Sequence, residues 1–329
     1  MNSFLYKSIR KKTIVCVLLC IIFLISMISI GCNVTNPANF VQADDDKVNI
    51  IATIFAPFDF ARAVAGDKAN ITMLLPPAAE SHSFEPTPQD IIKIENCDVF
   101  IFVGGDSDTW VKEVLATIDN DRMQVVTLMD CVATVTEEVK EGMSDHIEEQ
   151  HAHHELDEHV WTSPKNAKQI VQKIADAIIA ADPANKSYYQ ANTQTYLEKL
   201  DELDVAFQEV VDAGVRRTLI FGDRFPFRYF VDAYHLDYYA AFSGCSAEAQ
   251  PSAATIAFLI DKVKTEGIPV VFHEELSNRQ IANAIGEATG AKVRELHACH
   301  NITKDDFENG VTYLELMTRN VAALKEALH

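Results

Sequence analysis

DPANKSYYQANTQTYLEKLDELDVAFQEVVDAG, residues 182–214, decides how the rest of the chain divides. Asp182-Pro183 is a helix-start pair. Tyr196, Leu200, Leu203, Phe207 and Val210 keep one apolar face at helical spacing, and Gly214 closes the run. About thirty residues at 1.5 Å each make a helix of roughly 45 Å, long enough to cross a whole domain. The stretch therefore reads as a rigid strut, and the question becomes what lies on either side of it.

On its N-terminal side, Val48–Phe55, Asn70–Leu75, Asp98–Val103 and Gln124–Leu128 are apolar or β-branched runs without clean alternation, the pattern of parallel strands covered on both faces. Between them, Pro57–Ala65, Thr87–Glu95 and Asp106–Ile118 carry helical spacing or helix-start residues. Just before the strut, Ser163-Pro164 is an N-cap followed by proline at the first helical position. Ile170, Ile174 and Ile178, with Val171, Ala175 and Ile179, then form a helical stripe. On the C-terminal side the rhythm resumes, with strands at Thr218–Phe221, Asp237–Phe242, Pro269–Phe272 and Val293–Leu296. Helices are expected at Phe225–Tyr234, Ala253–Glu266, Asn278–Thr289 and Thr312–Leu328. Repeated βα units on both sides predict an α/β fold of two lobes, each with a mainly parallel four-stranded sheet, joined by one long rigid helix. The predicted lobes are 48–181, with a loop at 137–158, and 215–329, on either side of the linking helix 182–214. One connecting helix predicts small lobe motions.

Ahead of the first lobe, Lys7, Arg10, Lys11 and Lys12 precede the apolar run Thr13 to Gly31, which ends at Cys32. That order is a secretory leader over residues 1–31. Gly31-Cys32 looks like a bacterial lipoprotein cleavage site, with Cys32 as the lipidated residue, and 32–47 reads as a tether. Of the seven cysteines, Cys97, Cys131, Cys245 and Cys299 lie beyond the leader and lipid site, too few for a dense disulfide framework. Over the whole chain, 28 basic against 48 acidic residues give a formal charge of −20. Such a surface repels nucleic acid and attracts cations, and it also keeps an exported protein soluble. There is no Gly-x-x-x-x-Gly-Lys-[Ser/Thr] run and one apolar stretch long enough for a membrane, so the chain is neither an ATPase nor a channel.

Metal-ligand residue types gather at predicted strand ends, where α/β sheets bind ligands. His82 follows the second strand. Asp223, His273-Glu274-Glu275 and His297-Ala-Cys299-His300 follow three strands of the second lobe. The stretch SDHIEEQHAHHELDEHVWTSP, residues 144–164, holds five of the eleven histidines. His146, His151, His153 and His154 in it read as a weak, exchangeable cation-collecting tract. His159, beside Trp161 and a helix start, has a fixed position. The plainer readings are a surface histidine at His82 and a small buried hydrophobe at Cys245, Cys97 and Cys131.

ESHSFEPTPQD at 80–90 and DEHVWTSP at 157–164 flank the acidic, histidine-rich loop. With the long helix and an end reading GAKVRELH…YLELMTRNVAALKEAL, they resemble the TroA-like zinc/manganese solute-binding lipoproteins of ABC importers. The resemblance covers nearly the whole chain after the leader. It implies a metal in the interlobe cleft held by two side chains from each lobe, with His82 and His159 matching the first-lobe pair. The second lobe departs from the pattern, with Gly222-Asp223-Arg224 where the family has a histidine or glutamate and His297 where it has an aspartate. The expected core is His82, His159 and His297, with the fourth ligand from Asp223, Cys299, His300 or Cys245. Imidazole-rich donors favour Zn²⁺ over Mn²⁺, although other divalent transition metals also take imidazole. The implied function is an extracytoplasmic, lipid-anchored, monomeric, non-enzymatic capture protein that serves an ABC permease and its ATPase. A secreted zinc hydrolase with an open metal position beside Glu274, or a surface adhesin, are the competing readings.

Overall fold

The computed structural model describes residues 47–80, 84–143, 156–244 and 250–329. The expected leader, Cys32 and the tether up to residue 46 lie outside the described residues. So do His82, His146, His151, His153, His154 and Cys245.

Two four-stranded parallel sheets carry the fold. In the first, β1 (Val48–Ala52), β2 (Ala69–Met73), β3 (Val99–Phe102) and β4 (Gln124–Thr127) lie in the order β2-β1-β3-β4. The second repeats that order: β5 (Thr218–Phe221), β6 (Asp237–Ala240), β7 (Val270–His273) and β8 (Lys292–Glu295) run β6-β5-β7-β8. The central strands are buried because VFIF of β3 and VVFH of β7 are covered on both faces. The outer strand β8, KVRE, is more open, and its Lys292 and Arg294 pair with Glu326 at 2.6 Å each, which keeps that edge charged. In both sheets the chain leaves the first strand one way and returns on its other side. The switch points therefore lie between β1 and β3 and between β5 and β7, where this class of sheet opens a ligand crevice.

In the first half, the helices between strands are α1 (Phe55–Ala65), α2 (Pro88–Glu95) and α3 (Thr109–Leu115). Thr87 and Asp90 close a reciprocal cap at the start of α2. α4 (Pro164–Ala181) follows, and Ser163 occupies its N-cap position, but its side chain makes no cap hydrogen bond. Proline at the first helical position sets the start instead.

The linking helix α5 covers Lys186–Ala213, 28 residues or about 42 Å. A 3₁₀ turn at Pro183–Asn185 precedes it, and Asp182 ties down the first turn by accepting from Asn185 (2.6 Å) and Tyr189 (2.7 Å). Its buried stripe runs Tyr189, Thr193, Tyr196, Leu200, Leu203, Phe207 and Val211, so Val211 rather than Val210 completes it. The second half adds α6 (Arg228–Tyr234), α7 (Ala253–Glu266), α8 (Gln280–Thr289), α9 (Lys304–Glu308) and α10 (Tyr313–Leu328).

One helix was expected to join the halves, and the structure supplies a second link. α10 returns from the second half to the first: Tyr313 N donates to the buried Asp59 (2.7 Å) and Tyr313 Oη to the Trp161 carbonyl (2.8 Å). Arg62 of α1 pairs with Asp59 and donates to the Val311 carbonyl (2.9 Å). A single apolar cluster accordingly includes Ile50 and Ile101 of the first sheet, Leu200 and Phe207 of α5, Phe221 and Phe272 of the second sheet, and Leu324 of α10.

Candidate metal centre

His159 stands immediately before the 3₁₀ turn Val160–Thr162 that precedes α4, in the first half. His300 comes from the loop after β8, in the second. Their rings meet edge to face, 4.7 Å between centroids at 81°. His159 is 1% exposed and His300 6%.

Each ring is backed by a buried carboxylate. His159 Nδ1 lies 3.0 Å from Asp157 Oδ1, which also accepts the His159 backbone N–H at 2.9 Å. His300 Nδ1 lies 3.3 Å from Glu275 Oε1, which accepts the His300 backbone N–H at 2.8 Å. With Nδ1 donating to a carboxylate, Nε2 is the basic nitrogen, the usual arrangement behind a metal-bound imidazole. Burial alone would strip charge from His159, but Asp157 outweighs it and raises the pKa; at His300 burial wins over Glu275 and lowers it. Burial would also raise the Glu275 carboxyl, yet His297, His300 and the Ala298 N–H together hold it well below the usual carboxylate range.

Trp161 fixes the two loops against each other. Its indole donates to the Ala298 carbonyl at 2.7 Å, and its ring stands 5.3 Å from that of His300 and 5.7 Å from that of His159. Asn301 adds a clamp to the loop that leads to His82, donating to the Pro76 and Ala79 carbonyls at 2.8 Å each.

The sequence reading favoured His297, and the structure brings His300 to His159 in its place. The cause is the backbone between them. Cys299 has φ +63°, a left-handed turn that sets His297 and His300 to different oxygens of Glu275. His297 Nδ1 accepts the Cys299 N–H at 3.0 Å, and Asn320 holds its backbone N–H and carbonyl at 2.8 Å each. Cys299 is fully buried in the apolar cluster, and burial pushes its thiol pKa well up, which opposes a thiolate ligand.

Asp223 lines a different cavity, of about 560 Å³, with Arg224, Glu80 and Glu274. Its carboxylate accepts the Arg224 N–H (3.0 Å) and the Glu274 N–H (3.4 Å). Arg224 lies 3.3 Å from Glu80 and 3.9 Å from Glu274.

A cavity of about 30 Å³ is lined by His159, His300, Thr53, Asp108, Glu158 and Phe84 among others. Asp157 and Glu158, placed in the polar loop by sequence, are 1% and 5% exposed. Their DEH order beside an ordered tryptophan was the available signal. Among the described residues no three His, Cys, Asp or Glu side chains are grouped to hold a metal, so a metal held by this pair would need a donor from beyond them. Residues near His82 on both sides are described: Phe84 lines the small cavity, and Glu80 lines a second cavity with Glu274 and with His300, which the two cavities share.

With two carboxylate-backed imidazoles at the meeting of the two halves, the comparisons with known proteins acquire a site to refer to. A family model described as ZnuA, zinc-uptake complex component A, periplasmic, matches residues 50–327. The chain belongs to that family. The zinc-binding lipoprotein AdcA of Streptococcus pneumoniae is 32% identical over 318 residues, 96% of this chain and 61% of its own length, so the chain spans about three-fifths of that relative. The ZnuA high-affinity zinc uptake protein of Bacillus subtilis is 28% identical over 298 residues, covering 91% of this chain and 93% of its own. Among solved structures, the Zn(II)-bound ZnuA-like domain of S. pneumoniae AdcA superposes with a TM-score of 0.72 at 29% identity, over 86% of this chain and 99% of that domain. The two-lobed ZnuA-type fold, expected from the TroA-like resemblance, is the one observed.

Proposed function

We propose that this ZnuA-family chain is an extracytoplasmic, monomeric capture protein. It seats Zn²⁺ between its two halves and passes it to an ABC permease driven by a separate ATPase, staying at the membrane through a lipid on Cys32. On this reading 48–181 and 215–329 are the binding lobes and 182–214 their link. His159 and His300 are ligands, and His82 is the third. His146, His151, His153 and His154 gather metal ahead of that site. The observation that carries the reading is the facing of two buried, carboxylate-backed imidazoles from opposite halves. Nitrogen donors in that number favour zinc over manganese, which prefers oxygen. Against the hydrolase reading, its candidate base Glu274 has the Arg224 guanidinium 3.9 Å away.

Competitive zinc titration of the purified protein tests it. His159→Ala and His300→Ala should each weaken tight binding by more than about 100-fold, the share of one ligand in a tight zinc site. His297→Ala should leave it within about tenfold. Undiminished binding in His300→Ala would refute the site, and absence of tight transition-metal binding in the wild type would refute the function.

A further inference from the structure

The ion pair that anchors α10 has an open side. Asp59 and Arg62 of α1, Tyr196 and Lys199 of α5, and Thr312 at the start of α10 line a cavity of about 410 Å³, a size that suits a small organic ligand. It shares no described lining residue with the two cavities of His300, so it stands apart from the metal centre. Its α5 wall is Asn192, Thr195, Tyr196 and Lys199, spaced three and four apart, which is one face of the helix.

What this wall offers is donors. Asp59 is already saturated: Oδ1 accepts from Arg62 Nε (2.9 Å) and Nη2 (2.5 Å), and Oδ2 accepts the Tyr313 N–H at 2.7 Å. Arg62 Nη2 also donates to the Gly310 and Val311 carbonyls, whereas its Nη1 makes no hydrogen bond among the described residues. Lys199 Nζ has neither an ion pair nor a hydrogen bond among them, in a chain whose formal charge is −20. The Tyr196 hydroxyl, in a residue 6% exposed, has no hydrogen-bond partner either. It lies close enough to Asp59 and Arg62 to feel both charges, and burial pushes its pKa well up, so it remains a neutral O–H donor. A buried hydroxyl without a partner is costly to keep. An oxyanion that met it would also supply the acceptor that Arg62 Nη1 and Lys199 lack.

We propose that this cavity binds a small oxyanion, a phosphate or carboxylate group, held by Lys199, Arg62 Nη1 and the Tyr196 hydroxyl. Because α1, α5 and the start of α10 all wall it, the bound anion strengthens the clamp between the two halves. The inference does not depend on the zinc-capture reading.

Thermal melts of the purified metal-free protein test it, with sodium chloride replaced at constant ionic strength by sodium phosphate or by sodium succinate. At least one oxyanion should raise the melting temperature saturably, as a ligand of the folded state does, and the one that does so identifies the class. Lys199→Gln should raise the concentration that gives half of that effect by about tenfold, the share of one charge-assisted contact. It should leave the melt in chloride unchanged, because the lysine is exposed and unpaired. Tyr196→Phe should also weaken the anion without lowering the melt in chloride, since its hydroxyl has no hydrogen bond to lose. A hydroxyl with a merely structural role would do the reverse, lowering that melt and leaving the response to the anion intact, and this result would overturn the assignment. Equal melts in all three salts, or the same half-effect concentration in Lys199→Gln as in wild type, would overturn the site altogether.

Discussion

Asp157 and Glu275 stand in equivalent relation to His159 and His300, one carboxylate from each half, and both are buried. Asp157→Asn keeps the hydrogen bonds and removes the charge; zinc affinity should fall by about 10- to 100-fold, as for other partners behind a metal-bound imidazole, while the melting temperature of metal-free protein moves little. Asp108 offers a test of electrostatics in the same cavity. Burial, with Glu158 adding to it, pushes its carboxyl up to about 6 from the ordinary 3.8, against two backbone N–H donors. The folded chain therefore holds more protons than the unfolded one between those values. Stability from this residue is complete below the unfolded value and is lost as pH rises through the folded one. Asp108→Asn should stabilise metal-free protein by about 1–3 kcal/mol near neutral pH and lose that advantage below about pH 4, as read from thermal melts across pH. At this scale the sequence marked a fixed position for His159, because a tryptophan and a helix start adjoin it. It put His297 in the core and His300 among the candidates for the fourth ligand, because nothing in HACH announces a left-handed cysteine, and a non-glycine residue at positive φ has no compositional mark.

At the scale of elements, sequence and structure agree closely: Thr218–Phe221 and Ala253–Glu266 are recovered to the residue. Apolar runs and helix caps are local signals, so they survive without tertiary knowledge. α9 was missed because it is five residues long and carries no apolar stripe. Close approach of elements is equally invisible in composition. Gly222 follows β5, where an added Cβ would come within 2.5 Å of the Ala282 Cα on α8. Gly222→Ala should cost about 1–3 kcal/mol through that overpacking, measured by denaturant unfolding. Gly244 lies against the site itself, where an added Cβ would sit 3.0 Å from His159 Cε1 and 2.9 Å from the Phe225 carbonyl. Gly244→Ala should therefore lower zinc affinity more than it lowers stability, a contrast that titration and melting together would reveal.

At the scale of the molecule, the shared apolar cluster makes the two halves one cooperative body. Phe207 is fully buried in it on α5. Phe207→Ala should cost about 3–5 kcal/mol, and calorimetry should show one transition moving as a whole rather than two separating. Two lobes were legible in the sequence because two sets of βα units flank one long helix. Their fusion was not, because it depends on where α10 lands. That landing also sets an order of events. Ribosomes deliver a chain from its N-terminus, so β1, α1 and the His159 turn are made long before Tyr313. Yet the Asp59 carboxylate, the Trp161 carbonyl and the Arg62 guanidinium all take partners at the start of α10. A nascent chain lacking α10 holds its histidines on an unfinished frame, and the ability to seat a metal arrives in one step, once that helix has been made.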